Sequence, residues 1–102
     1  MKDSLRFHSQ VPHDLAEAIA WYEEISPSLA NRFRKALKAA FNSVRSYPNA
    51  YGVVFDDVRV MRVARFPYLV QYRMSAEVPC ILGVFHSASD PSKWQKRAES
   101  KE

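Results

Sequence analysis

Residues 85–97 (FHSASDPSKWQKR) gather the residue types that most often take part in chemistry. His86 could move protons or bind a metal, and hydroxyl groups, a carboxylate and several cations follow it. A zinc site needs three or four ligands, yet the other two histidines, His8 and His13, lie far back in the sequence. No Cys-x-x-Cys or His-x-x-x-His spacing is present. We therefore predict no metal and no cofactor.

The sequence also argues against a serine nucleophile. Ser87 and Ser89 flank His86, but neighbouring residues at a strand end point to different sides, and a glycine-rich elbow is missing from the sequence. With two glycines, Gly52 and Gly83, the chain cannot build a phosphate-binding glycine loop. We therefore predict no catalytic group from these motifs.

The arginines in the second half of the chain are a stronger signal. Four of them lie on or between predicted strands, with two tyrosines among them: Arg59, Arg62, Arg65 and Arg73, with Tyr68 and Tyr72. If helices cover one face of the sheet, side chains that alternate away from that face would present guanidinium and phenol groups to solvent. Such groups grip phosphates, stack on bases or receive an acidic peptide. The alternative is that they only keep an uncovered sheet face soluble.

The composition predicts one small domain, residues 1–102. The chain is 47% hydrophobic, which is enough for a single packed core, and its net charge of +4 favours polyanions or an acidic protein partner. A single cysteine, Cys80, excludes an internal disulfide and is typical of a reducing compartment. No apolar run approaches the ~20 residues of a membrane span, and the N-terminus lacks the apolar core of a signal peptide. We expect a cytoplasmic protein without a membrane partner.

The pattern of apolar residues predicts the elements that must position these groups. A short strand is expected at residues 4–8, and Pro12 and Asp14 suit the start of a helix, the latter as a capping side chain. Ser26 and Pro27 suit the restart of a second helix, which ends near residue 47. Strands are predicted at 51–55, 58–63, 68–73 and 80–85, and a closing helical turn or two at 90–98.

These elements predict an α+β fold. Two amphipathic helices joined by so short a link must lie antiparallel as a hairpin, and short links between the later strands favour an antiparallel sheet. The hairpin should pack on one face of that sheet, with a short helical tail at the end of the chain. We expect the following side chains to be mostly buried between the two layers: Leu15, Ile19, Phe33, Leu37, Phe41, Val70 and Tyr72.

The order of residues along nearly the whole chain resembles the ParE/RelE toxin superfamily, and within it the ParE-like, plasmid-stabilisation branch. The residues that carry the resemblance are Asp14-Leu15, Ala18, Trp21-Tyr22, Pro27, Phe33, Tyr47-Pro48, Val58-Arg59, Phe66-Pro67-Tyr68, Tyr72, His86, Asp90-Pro91, Trp94 and Arg97. The most specific part is Phe-Pro-Tyr followed by His-x-x-x-Asp-Pro-x-x-Trp. The usual arginine three positions after the histidine is Ser89 here, which puts any role of that position in doubt.

The resemblance implies a toxin that a cognate antitoxin protein neutralises. ParE-like members poison DNA gyrase, whereas RelE-like members are metal-independent nucleases that cut mRNA on the ribosome. Tyr68 and Ser87 stand where arginines are common in the nuclease branch, which favours gyrase as the target. If the protein is a nuclease, the catalytic candidates are Arg62, Arg65, Arg73 and His86. A third possibility is an inactive member that only binds its antitoxin.

The resemblance and the basic residues together give a set of candidates for contact with the target or the partner. These candidates are Arg59, Arg62, Arg65, Tyr68, Arg73, His86, Trp94 and Arg97. For Trp94 we favour a structural role, sealing the sheet edge or packing on the hairpin.

Overall fold

A computed structural model describes residues 4–100 of the chain. It contains three helices, α1 (Val11–Ile25), α2 (Pro27–Ser46) and α3 (Pro91–Glu99). It also contains five strands, β1 (Arg6–Phe7), β2 (Val53–Phe55), β3 (Val58–Arg62), β4 (Tyr68–Ser75) and β5 (Val78–His86). The predicted α+β class, the helical hairpin and the C-terminal helix are confirmed.

The five strands form one sheet in the order β1-β5-β4-β3-β2. The strands from β2 to β5 pair antiparallel, as the short links predicted. The first strand pairs in parallel with β5, through Arg6 opposite Cys80 and Phe7 opposite Ile81, so the sheet is mixed. This pairing joins a strand early in the chain to one late in it, and no local pattern in the sequence could reveal it.

The helix boundaries follow from local chemistry with one exception. Ser26 caps α2, because its side chain accepts a hydrogen bond from the backbone nitrogen of Leu29 at 3.1 Å, and Pro27 takes the first helical position. The predicted capping role of Asp14 is wrong. The helix begins three residues earlier, after Gln10, and Asp14 lies inside its first turn with a buried side chain.

The main core lies between the helical hairpin and one face of the sheet. Phe33, Leu37, Val70 and Tyr72 are buried there, as predicted. The other three predicted core residues, Leu15, Ile19 and Phe41, are only partly buried and pack against the edge of this core.

A second, smaller cluster lies under α3. It consists of Val58, Leu82 and Ala98, with Phe55 and Cys80 packed against it. Because α3 contributes Ala98 to this cluster, part of the sheet face that the hairpin leaves open is covered by α3. Among residues 4–100, no helix is long and apolar enough to cross a membrane.

Candidate functional site

A groove of about 750 Å³ opens where α1, the end of β5 and α3 meet, and we call it the His86 groove. Its ionisable and aromatic lining includes His8, His13, Asp14, Glu17, Trp21, Tyr68, Phe85, His86, Lys93, Lys96 and Arg97. Three of the predicted contact residues, Tyr68, His86 and Arg97, therefore meet in one place.

The floor of the groove is fixed by a buried ion pair between α1 and α3. Arg97 donates to both carboxylate oxygens of Asp14, at 2.8 and 3.1 Å, and to the carbonyl oxygen of Leu82 at 2.9 Å. Asp14 also accepts from the backbone nitrogen of Val84 at 3.1 Å. The strand β1 ends at Phe7, so it cannot pair with the part of β5 that follows Ile81. The side chains of Asp14 and Arg97 bond there instead to the backbone nitrogen of Val84 and the carbonyl oxygen of Leu82. Arg97 is thus bound inside the protein, with a side chain 16% exposed.

The close approach of Arg97 to β5 depends on a glycine. A Cβ atom at Gly83 would lie 2.9 Å from the Arg97 Nη1 atom and 2.5 Å from the Phe85 ring. The Cζ atom of Arg97 lies 5.0 Å from the centroid of the Phe85 ring, in a cation–π contact. The Phe85 ring also stacks on Trp94, with a distance of 6.0 Å between the two ring centroids. The absence of a side chain at position 83 therefore lets α3 dock.

Trp94 has a packing role on the sheet. Besides stacking on Phe85, its indole nitrogen donates to the Ser89 hydroxyl at 2.9 Å, and that hydroxyl donates to the carbonyl oxygen of His86. The ring therefore packs on a strand of the sheet and not on the helical hairpin. Ser89 thereby holds the turn between β5 and α3.

His86 and Tyr68 stand side by side at the rim of the groove. They are directly opposite in the β4–β5 pairing, with ring centroids 5.2 Å apart. The imidazole is exposed, and its Nδ1 atom accepts from the backbone nitrogen of Ala88 at 3.0 Å, so the neutral ring carries its proton on Nε2. Burial raises the pKa of the Tyr68 phenol, and its ring packs on Tyr22 and Phe33. At neutral pH this phenol can donate a hydrogen bond but cannot act as a base.

His8 closes the other end of the groove and ties the N-terminal segment to α3. It is buried, and its Nδ1 atom accepts from the backbone nitrogen of Gln10 at 3.1 Å. Its Nε2 atom lies 2.9 Å from the Ser100 hydroxyl. This imidazole is thus fully engaged by the fold, whereas His13 is exposed on α1. Within residues 4–100, the histidines, cysteine and carboxylates form no group of three or more that could hold a metal ion.

The four sheet arginines do not form the single basic face that their alternation suggested. Arg59 and Arg62 are three residues apart on β3, so their side chains leave opposite faces of the sheet. Arg59 donates to the carbonyl oxygen of Tyr51. Arg73 donates to both carboxylate oxygens of Asp57, the shortest contact being 2.8 Å, and to the carbonyl oxygen of Ala98. The hydrogen bond from Arg73 lowers the pKa of Asp57.

The remaining two candidates, Arg62 and Arg65, are exposed. Arg62 ends β3, and Arg65 lies in the turn that leads to β4, where it lines a smaller, separate pocket on the α2 side of the sheet. Neither residue is among those that line the His86 groove. Of the four residues expected to serve a nuclease, the structure therefore brings only His86 to this groove.

Sequence reasoning missed five groove residues that lie on the two flanking helices. They are His13, Glu17 and Trp21 on α1, and Lys93 and Lys96 on α3. The first three are spaced four residues apart, so they share one face of α1, and the Trp21 ring is 62% exposed. That spacing was a usable signal, since an exposed tryptophan in line with a histidine is unusual on a solvated helix face.

Burial of tyrosines near this groove predicts a loss of stability in alkali. Burial raises the pKa of Tyr22, Tyr68 and Tyr72 above the usual 10.0, so the folded state holds these protons more tightly than the unfolded chain. The contribution of these protonated phenols to the free energy of unfolding is fully present below about pH 10. It is lost as the pH rises through the raised pKa values of the folded protein. Replacing Tyr68 with Phe should flatten the fall in melting temperature between about pH 9 and 11. The control, Tyr47→Phe, removes a phenol that is 67% exposed and should leave the slope unchanged.

Comparison with known proteins agrees with this architecture. A structure described as the chromosomal ParDE TA system from P. aeruginosa superposes with a TM-score of 0.74, at 19% sequence identity, over 84% of this chain and 98% of that chain. The fold is therefore that of a small α+β domain with a helical hairpin on a five-stranded sheet, shared with a chain of that system.

Sequence comparison gives the family. Residues 5–91 match the model of the ParE toxin of type II toxin–antitoxin systems, parDE. Toxin ParE2 of two Mycobacterium tuberculosis strains is 31% identical over 93 residues, which cover 90% of this chain and 89% of those proteins. The chain belongs to the ParE toxin family, and the resemblance seen in the sequence is confirmed. The match ends at Pro91, so the groove residues of α3 lie beyond it.

Proposed function

We propose that this protein is a toxin that acts on DNA gyrase in the cytoplasm and is neutralised by a cognate antitoxin protein. Membership of the ParE toxin family supports the toxin role, and the name of the related P. aeruginosa system, ParDE TA, supports a partner protein. A cognate antitoxin is expected to cover part of the toxin surface and so to keep it from its target.

One observation favours gyrase over RNA as the target. The only guanidinium group among the described residues that line the His86 groove belongs to Arg97, and Asp14 and Leu82 already hold it. Metal-independent RNA cleavage needs cations aimed at the charge that develops on the phosphate, and removing one such donor costs about 10²–10³ in rate. A protein target makes no such demand, because shape and charge complementarity are enough for binding.

A second candidate, a ribosome-dependent endoribonuclease, is favoured by a different observation. His13, Lys93 and Lys96 line the same groove as His86. Within residues 4–100, the Nε2 atom of His86 has no hydrogen bond and the two lysines have no hydrogen bond or ion pair, so a proton-transfer group and two ammonium groups are available. Two imidazoles beside lysines could in principle exchange protons with a ribose hydroxyl and a leaving oxygen. A nuclease of this kind would use catalytic residues other than Arg62, Arg65 and Arg73, which do not line the groove.

A single experiment separates the two candidates. The purified protein should inhibit supercoiling by gyrase or trap gyrase cleavage complexes on plasmid DNA, and mRNA ends mapped after induction in cells should not change. His86→Ala should keep this activity, because binding to gyrase needs no proton transfer. Codon-positioned mRNA cleavage that disappears in His86→Ala would instead establish the nuclease. If neither effect occurs while the antitoxin still binds, the protein is an inactive family member.

A further inference from the structure

A second pocket, which we call the Arg65 pocket, lies between α2 and the turn that joins β3 to β4. It encloses about 330 Å³ and is lined by Leu29, Arg32, Lys35, Ala36, Ala64, Arg65 and Phe66. It is separate from the His86 groove, with which it shares no lining residue. Its volume is at the small end of the ~300–1,000 Å³ typical of ligand sites.

The floor of the Arg65 pocket is apolar and rigid. Leu29 and Ala36 lie seven residues apart on one stripe of α2, and Phe66 closes the floor from the turn. The Phe66 ring is held from below by Tyr22 and Phe33, at centroid distances of 5.2 and 5.0 Å. The pocket is therefore preformed and could accept one or two apolar side chains without rearrangement of the core.

The rim of the Arg65 pocket carries charge of one sign. Arg32, Lys35 and Arg65 are exposed, and within residues 4–100 their side chains have no hydrogen bond or ion pair. Among the described residues that line the pocket, none is acidic. On the same helix, Arg34 is paired with Glu23 and Arg45 donates to Asn42, whereas Lys38 resembles the pocket cations in having no such partner within residues 4–100. Three unneutralised cations around an apolar floor are complementary to carboxylates that flank an apolar side chain.

The backbone at the rim places Arg65 in a tight turn. Arg65 has a φ angle of 69°, in the left-handed region that favours glycine. A turn of this kind could be made more easily with glycine or asparagine, yet an arginine occupies the position. Asp56, Ala76 and Glu77 adopt the same conformation in other turns, so this φ angle fixes where Arg65 leaves the turn and does not by itself mark a ligand contact.

We propose that the Arg65 pocket docks an acidic amphipathic peptide segment of the antitoxin. One or two apolar side chains of the segment enter between Leu29 and Phe66, and carboxylates beside them pair with Arg32, Lys35 and Arg65. The inference rests on the proposed function, since it takes the antitoxin as the partner. Arg59 and Arg73 already bond within the chain, so they are less available than the three pocket cations to capture a charged segment. Nucleic acid fits less well, because its phosphates would pair with the cations of the rim and would leave the apolar floor of the pocket without a partner.

The test measures binding of the purified antitoxin encoded beside the toxin gene to variants of the full toxin. Arg32→Glu with Lys35→Glu should weaken binding about tenfold or more at low salt, mainly through slower association. Lys38→Glu with Arg45→Glu is the matched control, with the same charge change on the same helix outside the pocket, and should change affinity little. Ala64→Trp should weaken binding without any charge change, because the indole would fill the pocket.

Each outcome has a definite consequence. Equal loss in the pocket variant and the matched control, or no loss in either pocket variant while the parent binds, would overturn the proposal. A 20-base-pair DNA duplex serves as a second probe, and loss of its binding with antitoxin binding intact would make the pocket a nucleic-acid site and overturn the proposal. If the parent toxin itself does not bind the antitoxin, the proposed function fails, which is a distinguishable result.

Discussion

Replacing Asp14 with Ala is expected to lower the free energy of unfolding by about 3–5 kcal/mol, because it leaves a buried guanidinium without its partner. The Asp14 side chain is 9% exposed and that of Arg97 is 16% exposed, so water in the groove can replace only part of the lost contacts. The backbone nitrogen of Val84 would lose its acceptor at the same time. Urea unfolding followed by circular dichroism measures the change.

Asp57→Ala is the matched control for this prediction. It removes a carboxylate that also pairs with an arginine, Arg73, at 2.8 Å, but the Asp57 side chain is 63% exposed. An exposed pair of this kind contributes about 1 kcal/mol or less. Replacing both Asp14 and Arg97 with Leu should recover part of the loss, because no uncompensated charge then remains. Equal losses for Asp14→Ala and Asp57→Ala would mean that the groove ion pair is not the anchor of α3.

The second large effect is expected for Phe33→Ala, which should cost about 3–5 kcal/mol. Phe33 is fully buried and lies at the centre of an aromatic cluster, with ring centroids 4.8 Å from Tyr22, 5.0 Å from Phe66 and 5.1 Å from Tyr68. Its removal leaves a cavity between hairpin and sheet that these rings cannot all move to fill. Thermal and urea unfolding measure the loss.

Phe41→Ala provides the comparison on the same helix. Phe41 is only partly buried, and its recorded ring contact is with Phe7, whose own side chain is 48% exposed, at 5.5 Å. We expect a smaller loss, about 1–2 kcal/mol, because less apolar area leaves water on folding at this site. A loss at Phe41 as large as that at Phe33 would place the main core at the other end of the hairpin.

Local patterns in the sequence were sufficient to predict the elements and the fold class. The Ser26-Pro27 pair fixed the restart of α2, since a side-chain oxygen there can satisfy a free backbone nitrogen and proline fits the first helical position. Apolar spacing identified the buried face of α2, and alternation with turn residues identified the strands. These signals act over a few residues, so they can be read without knowing where the rest of the chain lies.

Alternation along a strand was misleading for the arginines. The alternation predicts which side chains share a face of the sheet, but it cannot predict which other parts of the chain pack on that face. The structure places α3 against the face opposite the hairpin, where Arg73 bonds to the carbonyl oxygen of Ala98, and Arg59 bonds to Tyr51 on the hairpin side. Of the four arginines on or between the strands, only Arg62 and Arg65 keep exposed side chains without a hydrogen bond or ion pair within residues 4–100.

The sequence by itself determined a basic α+β fold, because composition, periodicity and capping chemistry all act locally. The order of its residues, and not these local rules, carried the resemblance to the ParE toxin family. Only the tertiary structure decided the role of Asp14, which local rules assign to a helix cap but which pairs with Arg97 at a separation of 83 residues. It also decided the groove, where His13 and Trp21 from α1 meet His86 from β5 and Lys93 from α3. The physical reason is that the parallel pairing of β1 with β5 brings an early segment beside a late one, and contacts between distant segments leave no periodic trace in either one.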